Sequence, residues 1–495
     1  MGECVRGSED HGEPAYGEAI RLAQSLGNSW KELCARFLPV ASKGALWRYS
    51  RTSISSDPEQ GWKLRISANI LTAVEVLQTV APFLQAHKVL FKAPSSLQEL
   101  SRINAGLYYG YSQVGKFITV YPHNSEQAVF LARRLHELTL GMSAPVVPFD
   151  QRFRTQSCVY YRYGAFVPLE IEKPDGTRTL AIRGPGGELV SDDREASAAK
   201  LTWVSDPFDT KRARQRARTA DSPLNGAFRA FRALAQRGKG GVYQAIDLTM
   251  SPPRLCILKE GRAGGEVNWD GRDGRWRAEN EGRVLNCLQA AGVNVPRLYS
   301  SFEVEGNYYL AMEFVNGENL QQWLNKRRRR LTIPQVLQYG IQLSRIVSQI
   351  HAAGWVWRDC KPANVVVAKD GQLRPVDFEG ACPIDEPDPL TWNTPGFSAP
   401  ECHNVPRGQS RAPEDIYSLG ATLYFLLTAT LLVYSGPPPI LKLRRNVPSA
   451  LSNMISDMLA ADPAQRPSAQ TVTRQFRMAL SSHNPCPLYG SALIS

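Results

Sequence analysis

The stretch WVWRDCKPANVVV at residues 355–367 constrains the fold of this chain more than any other. Asp359 is followed by Lys361 two residues later and by Asn364 five residues later, and an apolar run begins directly after the asparagine. A second carboxylate, Asp377 in VDFEGA, follows the next short apolar run. Short apolar runs of this kind indicate strands. These polar groups are therefore expected at strand ends, where they would handle a proton or a metal ion.

Composition sets limits on the class of protein. With 495 residues the chain is long enough for about two or three domains. Its 43% hydrophobic and 21% charged residues are typical of globular domains, and it has no apolar run long enough for a transmembrane helix. The polar, acidic N-terminus is unlike a secretory signal. Nine scattered cysteines without a CxxC pair favour reduced thiols in the cytoplasm over a disulfide framework or a zinc site.

The formal net charge of +12 is concentrated in two runs, KRARQRAR at 211–218 and NKRRRR at 325–330. Neither run has interleaved aromatic residues or a nucleic-acid-binding module around it. We therefore favour solvated linker and helix-end charges over nucleic-acid binding. A basic surface would also suit an acidic peptide or a phosphorylated substrate.

The chain divides near residue 220. Residues 173–200 read as an irregular hairpin and residues 211–226 as a linker. The residues that follow predict three short strands, a helix that ends in glycine, a hairpin, and a long helix with Thr332 as N-cap and Gly354 at its end. The prediction is an α+β fold with an N-terminal extension at 1–40, a first domain at 41–172, a hairpin and linker at 173–227, a second domain at 228–482 and a tail at 483–495.

The polar residues of the second domain suit the transfer of a γ-phosphoryl group, which needs mainly positioning and neutralisation of charge. Asp359 would accept the proton of the substrate hydroxyl, and Lys361 would steady the transferring group. Asn364 and Asp377 would hold Mg²⁺ between the phosphates of ATP.

A nucleotide site is expected upstream of this loop. Lys259, at the end of the third strand, would contact the α- and β-phosphates, and Glu281 on the next helix would pair with it. The predicted nucleotide-binding residues are Gly238, Gly240, Val242, Lys259, Glu281 and Glu313. Further along the chain, Asp415 is expected to brace the catalytic loop, and Arg466 is expected to pair with Glu401.

In their order and spacing these motifs resemble the protein-kinase superfamily over residues 228–482. Ala235 and Arg237 occupy the positions of the first two glycines of the nucleotide loop, and Glu379 replaces the glycine of DFG, which suggests a locked loop. Trp357 replaces a histidine that braces the loop and does not react. Because every residue that handles a proton or a metal ion is kept, an active kinase is expected, with a pseudokinase as the alternative.

Basic residues recur in strand-like stretches of the first domain, namely GWKLRISA, VLFKAP, GKFITVYP and RFRTQSCVYYRYGAF. Lysine and arginine at strand edges often serve only against aggregation. Together, however, they suggest an anion pocket made of Lys63, Lys92, Lys116, Arg154 and Arg162. Lys92 is the candidate base, since neighbouring cations and burial favour its neutral amine.

These stretches, with the VWRDCKP and DFEGACP variants, resemble class III and IV lanthipeptide synthetases over residues 40–482. In that family a kinase phosphorylates Ser and Thr of a precursor peptide, and a domain similar to phosphothreonine lyases eliminates the phosphate. The resemblance implies a phosphothreonine-lyase-like first domain, a precursor with a leader segment, and the use of ATP and Mg²⁺. It implies that Lys92 takes the α-proton of the peptide. The residues that would bind phosphate are Lys63, Lys116, Arg154 and Arg162.

Two departures from the family pattern bear on function. The family's general acid, the histidine of WKLH, is Arg65 here, which is expected to bind the leaving phosphate and spread its charge. The chain ends shortly after the kinase motifs, so the zinc-dependent cyclase is expected to be absent, and ring closure, if any, would need a separate cyclase. The alternatives to a dehydratase are a peptide kinase with a non-catalytic phosphopeptide-binding domain, and a pseudokinase scaffold that docks a precursor.

Overall fold

The computed structural model describes residues 13–42, 44, 46–172, 176–192, 201–208, 223–327, 330–384, 386, 392, 394–403, 411–432 and 438–483. The chain forms two compact units, one with Ala19–Trp276 and Phe302–Tyr309, the other with Met1–Glu18, Arg277–Ser301 and Leu310–Ser495. The first three strands after the predicted linker, at residues 228–261, thus belong to the unit that begins at Ala19. The domain boundary near residue 227 stays a prediction.

An antiparallel sheet of seven strands forms the centre of the N-terminal residues, in the order β1-β2-β4-β5-β3-β7-β6. Its strands are β1 (Val40–Ala41), β2 (Trp47–Tyr49), β3 (Gln60–Ile66), β4 (Leu90–Pro94), β5 (Ile118–Tyr121), β6 (Gln151–Arg152) and β7 (Val159–Ala165). The helices along this part of the chain are α1 (Glu13–Phe37), α2 (Ala73–Ala86), α3 (Leu97–Ala105) and α4 (Ser125–Leu138).

Side-chain alternation divides the central strand β3 between the core and the opposite face of the sheet. Leu64 and Ile66 are fully buried in one hydrophobic core with the apolar stripe of α2, which is Val76, Leu77, Val80, Ala81 and Leu84. Lys63 and Arg65 alternate with them and therefore lie on the other face. Burial of each large apolar side chain contributes about 2 kcal/mol. This burial fixes the register, because a slip by one residue would turn the cations into the core.

The register of the sheet decides which polar side chains meet. Arg65 of β3 lies opposite Thr119 of β5, and Lys63 lies opposite Arg162 of β7. On its other side, Thr119 lies opposite Lys92 of β4. Directly opposite residues of antiparallel strands share a face. Lys92, Thr119 and Arg65 therefore form one row across three neighbouring strands.

A separate sheet of three antiparallel strands follows, in the order β10-β9-β8. Its strands are β8 (Glu170–Glu172), β9 (Arg178–Arg183) and β10 (Leu189–Ser191). The predicted hairpin is therefore confirmed for β9 and β10. Most of the predicted linker, including the basic run at 211–218, lies outside the described residues.

The first half of the second domain is rich in strands, as predicted. Strands β11 (Phe228–Arg237), β12 (Gly240–Asp247) and β13 (Arg254–Gly261) pair antiparallel in chain order. Helix α5 (Gly274–Ala290) comes next, and β14 (Leu298–Val304) and β15 (Asn307–Glu313) are joined by a turn of two residues. The three strands, the helix and the hairpin expected from the sequence are all present.

The second half is mainly helical. Its helices are α6 (Leu320–Asn325), α7 (Ile333–Ala352), α8 (Ala412–Thr428), α9 (Ile440–Leu443), α10 (Ser449–Met458) and α11 (Ala469–His483). Helix α7 begins with a capping box at Thr332 and Gln335, which confirms the predicted N-cap. The short strands are β16 (Gly317–Asn319), β17 (Trp355–Val356), β18 (Val365–Ala368), β19 (Leu373–Pro375) and β20 (Cys382–Pro383). Across the described residues, no helix has the length and apolarity that crossing a membrane requires.

Candidate active sites

The loop between β17 and β18 holds Asp359 in a fixed position. Its Oδ2 accepts hydrogen bonds from Lys361 Nζ at 2.8 Å and from Asn364 Nδ2 at 2.7 Å. Its Oδ1 accepts a hydrogen bond from Thr394 Oγ1 at 2.8 Å. A charge-assisted bond from Lys361 and bonds from two neutral donors fix the orientation of this buried carboxylate. Such a group can orient a hydroxyl and take its proton.

Thr394 is a member of this site that the sequence did not reveal. Its Oγ1 also accepts a hydrogen bond from Lys361 Nζ at 3.1 Å, so it closes a ring of contacts with Asp359. The only signal in the sequence is a hydroxyl residue shortly before SAPE, and many loops contain one. The amide nitrogen of Asn364 donates to Asp359, which leaves its side-chain oxygen as a candidate metal ligand. Oxygen ligands of this kind fit Mg²⁺.

The backbone is strained at both polar loops. Arg358 and Asp377 have φ angles of 67° and 66°, in the left-handed region that costs non-glycine residues about 1–3 kcal/mol. The buried carboxylate of Asp415 holds the first loop, because it accepts backbone hydrogen bonds from Trp357 at 2.8 Å and from Arg358 at 2.6 Å. The prediction that Asp415 braces the catalytic loop is confirmed.

Trp357 joins the two loops. Its side chain is fully buried, and its indole Nε1 donates a hydrogen bond to the backbone oxygen of Asp377 at 3.1 Å. The ring also stacks on Phe378, with centroids 5.6 Å apart. The tryptophan therefore fills the position of the bracing histidine with a contact of its own.

The loop that contains Glu379 is fixed to helix α5. Asn280 Nδ2 donates hydrogen bonds to the backbone oxygens of Glu379 and Ala381, at 3.2 and 3.0 Å. The backbone nitrogen of Phe378 donates to Glu281 Oε1 at 3.2 Å. These contacts restrain the loop at the position where the kinase pattern has a glycine.

The glycines of the nucleotide loop make close backbone contacts. The nitrogen of Gly238 donates to the oxygen of Ala105 at 3.0 Å, and a Cβ on Gly238 would overlap the oxygen of Asn104. A Cβ on Gly240 would overlap the oxygen of Glu260. Glycine is therefore needed at both positions.

The remaining predicted nucleotide-binding residues lie in both units. Val242 lies opposite Lys259 in the pairing of β12 with β13. Glu281 and Glu313 belong to the other unit, and the carboxylate of Glu313 pairs with Arg374 at 3.0 Å. The pairing of Lys259 with Glu281 stays a prediction.

Arg466 and Glu401 form the ion pair that the sequence predicted. Two guanidinium nitrogens of Arg466 contact the two carboxylate oxygens of Glu401 at 2.5 and 2.8 Å. Bidentate hydrogen bonds between a guanidinium and a carboxylate are among the stronger polar contacts in proteins. The prediction of this pair is confirmed.

A second polar site is a cavity of about 350 Å³ beside the seven-stranded sheet. Three residues of the predicted anion pocket line it, Lys63, Lys92 and Lys116, together with Arg65, which was predicted separately to bind the leaving phosphate. Lys63, Arg65 and Lys116 are buried. Cations are costly to bury unless an anion compensates them. Four cationic side chains that line one cavity are suited to bind a multiply charged anion such as a phosphate group.

The two predicted arginines of this pocket differ in position. Arg162, opposite Lys63, pairs at 2.5 Å with Asp192, which lines the cavity. Arg154 is not among the lining residues, and its guanidinium lies over the ring of Phe153, 5.3 Å from the centroid. The structure therefore does not bring Arg154 together with the other cations.

Two aromatic residues beside Lys92 were missed from the sequence. The Nζ atom of Lys92 lies 4.5 Å from the ring centroid of Trp47 and 5.5 Å from that of Tyr49. Burial raises the pKa of Tyr49, so its hydroxyl stays protonated at neutral pH. The signal in the sequence was the alternation of WRY, which places both rings on one face of β2. Their faces attract a lysine side chain and fix its position.

Comparison with known proteins agrees with this division. Residues 266–476 match the family described as "Protein kinase domain", and residues 40–220 match the family described as "RamC, N-terminal domain". A "Probable SapB synthase" of Streptomyces coelicolor is 29% identical over 434 residues, which are 84% of this chain and 46% of the relative. The "Serine/threonine-protein kinase PknA" of Mycobacterium tuberculosis is 30% identical over 264 residues, which are 49% of this chain and 58% of the relative.

The chain therefore contains a protein kinase domain with a sheet lobe and a helical lobe. A RamC N-terminal domain match precedes the kinase domain, and this pairing confirms the resemblance to class III lanthipeptide synthetases. The chain spans about half the length of the curated relatives it matches.

Proposed function

We propose that this chain is a peptide Ser/Thr dehydratase of lanthipeptide-type biosynthesis. Its kinase domain phosphorylates Ser or Thr of a precursor peptide with ATP, and its N-terminal domain eliminates the phosphate to give dehydroalanine or dehydrobutyrine. The observation that carries the proposal is the cavity that Lys63, Arg65, Lys92 and Lys116 share, in a chain that also holds Asp359 in a kinase-type loop.

In the first step the residues of the catalytic loop act on the hydroxyl of the peptide. Asp359 accepts its proton while the oxygen attacks the γ-phosphorus of ATP, and Lys361 neutralises charge on the transferring group. Asn364 and Asp377 would hold Mg²⁺, whose charge would offset that of the phosphates. The predicted nucleotide contacts also belong to this step. They are assigned to Gly238, Gly240, Val242, Lys259, Glu281 and Glu313.

In the second step the residues of the cavity act on the phosphorylated residue. The neutral amine of Lys92 removes the α-proton, the electron pair forms the Cα–Cβ double bond, and the Cβ–O bond breaks. The departing phosphate takes the electrons of that bond, and Lys63, Lys116 and Arg65 neutralise its charge. Arg162 supports the same site through Asp192. Arg65 binds the phosphate and does not protonate it, because a guanidinium does not release a proton at neutral pH.

The similarity to a probable SapB synthase supports a peptide substrate, presented by a leader segment. The cysteines in the described part of the chain are free thiols, in keeping with a cytoplasmic protein.

The experiment that tests this function combines two incubations. In the first, the protein is mixed with ATP, Mg²⁺ and candidate precursor peptides encoded beside its gene, and the peptides are weighed. In the second, a synthetic phosphoserine or phosphothreonine peptide of the same sequence is used without ATP. The proposal expects loss of one water per modified residue in the first and release of phosphate in the second.

Two other results would replace the proposal. A stable phosphopeptide in both incubations would indicate a kinase with a phosphopeptide-binding domain. Unchanged peptide in the first and no ATP turnover would indicate a pseudokinase scaffold.

A further inference from the structure

The side chain of Arg65 contacts two residues, Thr119 and Asp150. Only the contact with Thr119 follows from the pairing of the strands. Its Nη1 donates a hydrogen bond to Oγ1 of Thr119, its cross-strand neighbour. Its Nε lies 3.6 Å from Oδ2 of Asp150, whose side chain is only 1% exposed. Within the part of the chain that the structure describes, neither the Nε of Arg65 nor either oxygen of Asp150 has a hydrogen-bond partner.

A buried carboxylate without a hydrogen bond is unfavourable by itself. Its nearest compensation is the charge of Arg65, so the two residues depend on each other. The backbone directly before Asp150 is also unusual. Phe149 has a φ of 64°, in the left-handed region that an aromatic residue rarely adopts. Backbone strain of this kind persists where the surrounding structure fixes the conformation, and it is frequent at functional sites.

The two contacts leave one part of the guanidinium for the cavity. Arginine has five N–H donors in a fixed plane. One edge faces Asp150 through Nε, and Nη1 is bonded to Thr119, while Arg65 as a whole lines the cavity. The Nη2 group has neither partner, so its donors remain for an anion there. Because Thr119 also lies opposite Lys92, the same row fixes the spacing between the arginine and the proposed base.

We infer that Asp150 is a positioning residue for phosphate elimination, which acts by fixing the guanidinium of Arg65 as a preorganised site for the departing phosphate. This inference rests on the proposed dehydratase function. The inference explains how the site could work with Arg65 in place of a histidine. None of the described residues that line the cavity is a histidine that could take over the lost role. A guanidinium that is free to rotate would lose conformational entropy each time it binds the departing phosphate. A guanidinium that is already fixed does not incur this loss.

The test uses the full chain and a synthetic phosphopeptide without ATP, with phosphate release as the readout. Asp150→Asn keeps the shape and removes the charge, and we expect kcat to fall by about 10²-fold, the typical cost of a misplaced group. KM should not rise, because removal of a carboxylate leaves the cavity more attractive to an anion. Thr119→Val removes the other contact and should lower kcat in the same direction. Phosphorylation by the same molecules reports whether they are folded.

The matched control is Asp57→Asn. Asp57 forms an ion pair with Arg51 at 2.6 Å in the same domain, and neither residue lines the cavity. Loss of that pair should leave phosphate release unchanged. A purely structural role of Asp150 would instead lower thermal stability and phosphorylation together with elimination.

A double-mutant cycle decides whether Asp150 acts through Arg65. Arg65→Ala alone and Arg65→Ala with Asp150→Asn should be equally slow, because the carboxylate has nothing left to position. Additive losses, a higher KM with unchanged kcat, or Asp150→Asn and Thr119→Val variants as fast as the wild type would overturn the inference. If the Asn variant does not fold, the Thr119→Val result decides alone. A wild-type protein that releases no phosphate would reject the dehydratase function, and with it this inference.

Discussion

Trp357 and Arg65 each replace a histidine of the family pattern, one in each domain, and the two replacements have different consequences. Trp357 is fully buried, stacks on Phe378 and bonds the backbone of Asp377, so it still braces the loop. Arg65 is held by Thr119 and lies near Asp150, but its chemistry differs from that of an imidazole. A residue that serves by contact is replaceable by any residue that makes the contact. A residue that serves by proton transfer is replaceable only if the reaction proceeds in another way.

The largest effect is expected at the residues that the kinase domain has kept. Asp377→Asn should abolish phosphorylation by loss of a metal ligand, and Asp359→Asn should lower it by about 10²–10⁴-fold. ATP-dependent incorporation of phosphate into the peptide measures both. Asp370→Asn, at an exposed aspartate between β18 and β19, is the control and should have no effect. Wild-type phosphorylation by Asp377→Asn would show that the kinase assignment of this loop is wrong.

The next effect concerns the base of the elimination. Lys92→Ala should leave phosphopeptide accumulating while phosphorylation continues, because loss of a general base costs about 10²–10⁴-fold. Mass spectrometry of the peptide distinguishes the phosphorylated from the dehydrated form. Lys31→Ala, at an exposed position of α1, is the matched control. Dehydrated product from the Lys92 variant at the wild-type rate would rule out this role.

Arg65 itself should show a smaller loss, since an arginine supplies charge stabilisation and no proton. Arg65→Ala should slow elimination by about 10²-fold, the cost of one preorganised donor, so that the reaction stalls at phosphopeptide. Arg65→His should speed elimination or leave it unchanged. Arg134→Ala, at an exposed arginine of α4, serves as the control. A histidine variant much slower than the wild type would mean that the cavity has been rebuilt around the guanidinium.

Local pattern was enough to predict the parts of the fold that repeat with a regular period. The capping residue Thr332 and the three strands β11–β13 follow from spacing and residue type. The pair of Arg466 with Glu401 follows from the resemblance to protein kinases. The catalytic loop was predictable because its residues lie close together in sequence.

The residues that the sequence did not reveal meet through long-range register or unusual backbone. Thr119 meets Arg65 only because β3 pairs with β5, and Asp150 follows a left-handed phenylalanine that no local pattern predicts. Arg154 was included from its motif, yet it lies outside the lining of the cavity. The contact of the β11–β12 turn with residues far upstream, as in the hydrogen bond from Gly238 to Ala105, is likewise invisible to local pattern.

The smallest effect is expected at Trp357, where the comparison with Arg65 is most easily broken. Trp357→Phe keeps the stacking on Phe378 and removes the hydrogen bond from Nε1 to the backbone of Asp377, a contact worth about 1 kcal/mol. The kcat of phosphorylation should therefore fall by only about fivefold. Trp323→Phe, at a tryptophan of α6 that packs on Tyr339, is the control for loss of an indole elsewhere. A loss in Trp357→Phe as large as that in Asp359→Asn would mean that the indole takes part in positioning the reacting groups. Trp357 and Arg65 would then both act on the reacting groups. The two replacements would no longer differ as a structural contact in one domain and a catalytic role in the other.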